Sequence, residues 1–171
     1  MIEKVLLAIA VLISVVSLSL ILTYHPGIEL ELPQIPDLSL VNFEKVNDID
    51  VAFENNVALI TLYTDCYKLS AWVEEVQGRS ILNGKEGKRD IRPNSHDIVK
   101  DIFEELGIKV LDVRITNLKE NTYFAVINIM QRNKVLSLDI RPSDGIAIAL
   151  RTNSPIYINK TLLVEKGEKI C

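Results

Sequence analysis

The stretch from Asp139 to Ile158, DIRPSDGIAIALRTNSPIYI, constrains the fold of this chain more than any other segment. An alternating strand ends at Ile140. Pro142 then opens the next element where its missing N–H would have gone unpaired in any helix. Ser143 and Asp144 can accept backbone N–H groups in that first turn. Ile146, Ile148 and Leu150 supply apolar surface, while Ala147 and Ala149 leave so little bulk that the helix can lie close against a sheet. Asn153 tolerates the left-handed conformation that closes a helix, Pro155 prevents continuation, and Ile156-Tyr157-Ile158 begins another strand. The segment therefore predicts strand, helix, strand. Its ends carry Asp139, Arg141, Asp144 and Arg151, more charge than packing requires.

Upstream the pattern is mixed. Asp50 to Phe53 and Val57 to Thr64 read as strands joined by Asn55-Asn56, a good two-residue hairpin turn. Leu69 to Val73 predicts a short strand and Glu74 to Asn83 a short helix. Ser95 suits the N-cap of a helix with Ile98, Val99, Ile102, Phe103 and Leu106 on one face, and Gly107 stops it. Three period-two strands follow, around Leu111 to Ile115, Thr122 to Met130 and Lys134 to Ile140. Their short connections imply an antiparallel meander. The run from Tyr123 to Met130 is apolar on both faces, which predicts a central strand covered on both sides, by helices or by a second subunit. The expected class is α+β: a twisted, mainly antiparallel sheet with three short helices, preceded by one transmembrane helix.

That transmembrane helix is read from Val5 to Thr23, nineteen residues without a charge. About 20 apolar residues span the hydrocarbon core of a bilayer. The run is long for a signal peptide and no small-residue cleavage site follows it, so residues 1–24 are read as a signal anchor. Lys4 precedes the span, and no Lys or Arg follows until Lys45. Positive-inside counting gives a single pass with the N-terminus inside and the domain on the outer face. Residues 25–48, with Pro26, Pro33 and Pro36, read as a linker, 49–165 as the folded domain and 166–171 as a tail.

The formal net charge of −4 argues against nucleic-acid binding by bulk electrostatics. Any such contact has to be local, and residues 79–92 hold the best cluster, Arg79, Lys85, Lys88, Arg89 and Arg92. A solvated, charge-rich loop is the other reading of the same residues. Cys66 and Cys171 lack metal-site or redox spacing; a disulfide is open to them if the domain lies outside, and two unrelated thiols is the default reading.

The polar residues with chemical potential form two groups. His96 and Asp97, beside Arg92, could handle protons or bind metal; equally, Asp97 is an acid favoured in the first turn of a helix. Metal-dependent phosphohydrolases built on a His-Asp pair need further histidines, and the other histidine is His25, beside the apolar segment. That chemistry is excluded. Asp139, Arg141, Asp144 and Arg151 could hold a divalent ion and a phosphate, with Asp139 and Asp144 converging from a strand end and a helix start. A structural ion pair at that corner is the alternative. No established nuclease motif and no Gly-rich phosphate loop occurs.

The string RPSDGIAIALRTNSPIYI resembles the signature of the bifunctional nuclease domain family, in which RPSDAIALALR precedes a Gly-containing turn and PIYV. Arg92-Pro93-Asn94-Ser95-His96-Asp97 is similar to the family's RP-x-[ST]-HD element, and Leu69 to Gly87 fits its short strand and helix, with Glu75 and Ile81. The resemblance covers residues 57–165. Departures are Glu74 for Gly, Gly78 and Gly145 for Ala, and Asn153 for Gly. The resemblance implies an α+β fold, oligomers, and hydrolysis of DNA and RNA with a divalent metal, Mg or Mn. On this basis His96, Asp97 and Asp144 are the catalytic candidates. Arg92, Arg141 and Arg151 would bind substrate, and Asp139 with Asp144 would hold metal. The rival expectation is a non-catalytic, oligomeric binding or regulatory domain tethered to the membrane.

Overall fold

The structure, a computed structural model, describes residues 12–17 and 39–171. Residues 12–17 are helical. The rest of the expected membrane span, and the linker up to residue 38, lie outside the described residues. Among the described residues no helix is long and apolar enough to cross a membrane.

The domain begins earlier in the chain than the hydropathy pattern predicts. β1 (Phe43–Lys45) and the start of β2 (Asp48–Glu54) use residues expected in the linker. β3 (Val57–Tyr63) and β4 (Tyr67–Glu74) follow, then helices α1 (Glu75–Lys85) and α2 (Ser95–Glu105). The meander is β5 (Ile108–Lys119), β6 (Thr122–Gln131) and β7 (Lys134–Ile140). The chain continues through α3 (Pro142–Arg151), β8 (Ile156–Asn159), α4 (Lys160–Lys166) and β9 (Glu168–Lys169). The α+β class and the antiparallel meander hold. Instead of one sheet there are two, ordered β1-β8-β5-β6-β7 and β2-β3-β4-β9, and α4 is a fourth helix of the domain. Among the described residues every strand pairing is antiparallel except that of β5 with β8.

Local chemistry explains the turns. Asn55 and Asn56 have φ of 47° and 66°, the mirror-image turn that matches strand twist in a tight hairpin. Asn153 closes α3 with φ of 51°, and the Ser154 N–H reaches back to the Ala149 carbonyl at 2.9 Å. β5 bulges at Leu111 and again at Thr116, so Val110, Val113 and Ile115 fill the core and Leu111 does not.

The core lies between the sheets and beneath the helices, with Ile81, Val113, Ile158 and Leu163 fully buried. Two glycines let helices settle onto strands. A Cβ on Gly78 would stand 2.2 Å from the Ala58 Cβ on β3, and one on Gly145 would stand 2.9 Å from Val113 Cγ1 on β5. One face of β6 packs under α3 through Ala125, Ile127 and Ile129. The other carries buried Asn128 with half-buried Val126 and Met130.

The C-terminus is not a loose tail. β9 pairs with β4, and Cys171 forms a disulfide with Cys66 across a sequence separation of 105. The reading of two unrelated thiols is thereby corrected. Cysteine spacing in the chain carries no information about the strand pairing that brings residue 171 beside residue 66.

Candidate functional site

Three helices meet over one buried serine. Asn94 is the N-cap of α2, one residue before the expected Ser95. Its side-chain oxygen accepts the N–H groups of His96 and Asp97 at 2.9 and 3.1 Å, and Asp97 returns the bond by accepting the Asn94 N–H at 2.9 Å. This reciprocal cap fixes the direction in which His96 and Asp97 leave the helix.

Asp97 turns inward. Its Oδ1 accepts Nε of Arg151, at the end of α3, at 2.7 Å, and both side chains are nearly closed to solvent, 6% and 5% exposed. Arg151 also donates from Nη1 to the Ser80 and Ala147 carbonyls, at 2.9 and 2.8 Å, and from Nη2 to Ser80 Oγ at 3.2 Å. Four of its five N–H donors are thus committed. Burial alone would push the Asp97 carboxyl up. The Arg151 hydrogen bond, the Asn94 N–H and the charges of Arg151 and Arg89 outweigh this and hold it below the usual carboxylate range. Asp97 and Arg151 therefore form the structural ion pair that pins α2 to α3 and α1, rather than a free acid and a free phosphate ligand.

His96 turns outward from the same turn. Its Nδ1 lies 2.9 Å from Ser80 Oγ, and its Nε2 lies 3.2 Å from Oδ1 of Asp144, in the first turn of α3. Ser80 Oγ also receives Asn94 Nδ2 at 3.3 Å and Arg151 Nη2 at 3.2 Å. Those two donors occupy both lone pairs of the hydroxyl, so its single proton points at His96 Nδ1. Nδ1 is then the bare nitrogen, and the Nε2–H faces the Asp144 carboxylate. Accessibility rises outward along the line, from 15% at His96 to 34% at Asp144. Ser80 and His96 both line a cleft of about 280 Å³, with Arg79, Asn83, Asp90 and Asn94 around them.

Of the residues expected in the site, the structure thus joins His96 to Asp144 and Asp97 to Arg151. Asp139 is not brought in. Ile140 lies on the α3 side of the sheet, against the position a Gly145 Cβ would take. The preceding residue of a strand points the other way. Asp139 pairs with Val126, on the opposite face of the sheet from Asp144. The expected metal pair of Asp139 and Asp144 fails on this register. Among the described residues no three His, Cys, Asp or Glu side chains group so as to hold a metal ion, and we derive no step through one. Arg92 is exposed in the loop before α2, and Arg141 is exposed at the N-cap of α3.

The basic segment is matched charge for charge along most of its length. Arg79 pairs with Glu75, Lys85 with Asp48, Lys88 with Glu86, and Arg89 with Asp101. This is the solvated, charge-rich alternative. Sequence reasoning missed Ser80 and Asn94, which lie inside the two family segments but at positions that the motifs leave unspecified. The signal that could have found Ser80 is its place in α1 on the buried side, beside Ile81 and Gly84. A second buried polar group was also missed: Arg114 donates to both Asp112 oxygens at 2.9 and 3.0 Å, on the sheet face away from α3.

Fold and site together define a small α+β domain whose two polar motif segments converge on a Ser-His-Asp hydrogen-bonded line at the edge of a cleft. Residues 60–170 match the family model described as the bifunctional nuclease domain, and the chain belongs to that family. It is 35% identical over 99 residues to an uncharacterized protein of Mycobacterium tuberculosis, covering 58% of each chain. It is 35% identical over 82 residues to bifunctional nuclease 2 of Arabidopsis thaliana, covering 46% of this chain and 25% of that one. Against bifunctional nuclease 1 of Oryza sativa subsp. indica the figures are 34% over 101 residues, 57% of this chain and 30% of the plant protein. The matched region therefore spans little more than half of the bacterial relative and under a third of the plant ones.

Proposed function

We propose that this chain hydrolyses phosphodiester bonds in DNA and RNA, with His96 transferring the proton. The observation that carries the reading is the 3.2 Å contact of His96 with Asp144, which joins the two motif segments at an open cleft. A histidine held between a carboxylate and a hydroxyl is suited to general acid–base work. The exposed Arg92 and Arg141 are the cations suited to holding phosphate. Relatives named bifunctional nucleases support the substrate class.

The proposal includes a single-pass anchor through residues 5–23 with the domain on the outer face. The Cys66–Cys171 disulfide supports that side, since disulfides persist in oxidising compartments. It also includes a homo-oligomer, supported by Ile98, Ile102 and Leu106, which recur along α2 and are each about half exposed. The second reading, a non-catalytic binding domain, draws its support from the net charge of −4 and the paired cations of the basic segment.

The test incubates the full chain in detergent with single-stranded DNA and RNA, in magnesium, manganese or chelator. Cleavage is expected, and His96→Ala is expected to lower its rate by about 10²–10⁴, the usual worth of a general acid–base group. No cleavage in any metal condition overturns the reading in favour of the binding domain, and full activity in His96→Ala overturns the role given to His96.

A further inference from the structure

We propose that Ser80 is the nucleophile of this site, and that Ser80, His96 and Asp144 act as a hydrolytic triad on phosphorus. The inference deepens the phosphodiesterase reading and rests on it for the substrate. Its own ground is the hydrogen-bond line. The Ser80 hydroxyl is constrained to donate to a bare imidazole nitrogen 2.9 Å away, and the opposite N–H faces a carboxylate at 3.2 Å. Nucleophile, base and orienting acid stand in that order. The serine meets Nδ1 and the carboxylate Nε2, the reverse of the usual assignment. Either nitrogen can take a proton once the other is held by an acid.

Packing alone explains this line poorly. Arg151 and Asp97 already lock the three helices together through the closed side of Ser80, using its carbonyl. The hydroxyl adds a branch that runs outward through His96 to a carboxylate 34% exposed, and serine and histidine both border the cleft. Asn94 Nδ2 and Arg151 Nη2 are aimed at Oγ itself. Both are donors beside the atom that departs from phosphorus in the second half of the reaction, where negative charge grows on it.

The chemistry balances without an added reactant other than water. Ser80 Oγ gives up the 3.3 Å hydrogen bond from the cleft-lining Asn94 Nδ2, uses the freed lone pair to bond phosphorus, and the bond from phosphorus to one ester oxygen breaks. The serine proton passes to His96 Nδ1 and then to the departing oxygen, which leaves as an alcohol. The second ester remains as a phosphodiester on Ser80. Water then attacks phosphorus, its proton passes through His96 to Ser80 Oγ, and a phosphomonoester is released. Asp144 stabilises the imidazolium formed in each half.

A fluorophosphonate, which places phosphorus and a fluoride leaving group before an activated serine, tests the triad without nucleic acid. The full chain in detergent is treated with the probe, and the adduct is located by peptide mass. One adduct per chain at Ser80 is expected. Labelling is expected to slow by at least about 10² in His96→Ala and Asp144→Asn, the scale of loss when a base or its orienting acid is removed. Ser80→Cys serves beside Ser80→Ala because a thiol keeps a nucleophile in place, and melting temperatures identify variants that remain folded. An adduct at Ser80 in a chain that cuts neither DNA nor RNA upholds the triad and removes the phosphodiester reading. A chain that cuts nucleic acid but takes no adduct at Ser80 overturns the nucleophile and leaves that reading standing. Equal labelling of folded His96→Ala and wild type overturns the relay.

Discussion

His96 and Asp97 are neighbours in sequence with opposite roles, because one step along a helix of 3.6 residues per turn swings the side chain by about 100°. Asp97 faces inward and is met by Arg151, and His96 faces the cleft and is met by Asp144. Asp97→Ala would leave the Arg151 guanidinium buried without its counter-charge. A stability loss of about 3–5 kcal/mol is expected by chemical denaturation, the usual cost of breaking a buried pair. The Asp97 carboxyl is held below its ordinary range in the folded chain, so its contribution is fully present above the unfolded value of about 3.9 and is lost as pH falls through the folded value. An acid titration of stability should therefore fall less steeply in Asp97→Asn than in wild type below about pH 4. At this scale the motif residues were legible as polar and important. Their division into a structural pair and a working pair was not, because both partners lie some fifty residues away.

Elements were far more legible than residues. Hairpin asparagines, the Pro142 helix start and the Asn153 helix stop act through local backbone preferences, and the structure places each element where these predict. The glycines reveal the limit of that logic. By propensity, Gly145 and Gly78 weaken their helices by up to about 1 kcal/mol each relative to alanine. In the fold each marks the closest approach of a helix to a strand. Gly78→Ala is expected to destabilise by about 1–3 kcal/mol despite its better helix propensity, because Ala58 is backbone-tethered and cannot move aside. Gly145→Ala should be milder, since the Val113 methyl it meets at 2.9 Å can give way more easily. Thermal melts of the two variants in parallel check the order. The bulges in β5 and the exchange of Leu111 for Val110 in the core were illegible for the same reason: a bulge answers to its partner strand.

At the scale of the whole molecule the Cys66–Cys171 bond closes everything from β4 to the C-terminus into one loop. Chain-entropy reasoning assigns a loop of about 100 residues some 4–5 kcal/mol of stabilisation. Cys66→Ser with Cys171→Ser should lower the midpoint of denaturation accordingly and free β9 from β4, measured as faster amide exchange at Glu168 and Lys169. Reduction of the wild-type chain should reproduce the effect. The same bond bears on where the domain works, because an anchored chain with its domain outside keeps this disulfide and a reducing compartment removes it.

What the sequence determined by itself was the α+β class, the meander, the helix that starts at Pro142 and stops at Asn153, and the family, because hydrophobic period and turn residues act over a few positions at a time. What only the tertiary structure decided was which polar groups meet. Two sheets in place of one, the disulfide, Asp139 facing away from Asp144, and Ser80 under His96 all follow from strand register and helix docking. Those are settled by contacts between residues far apart in the chain, where local pattern carries no information.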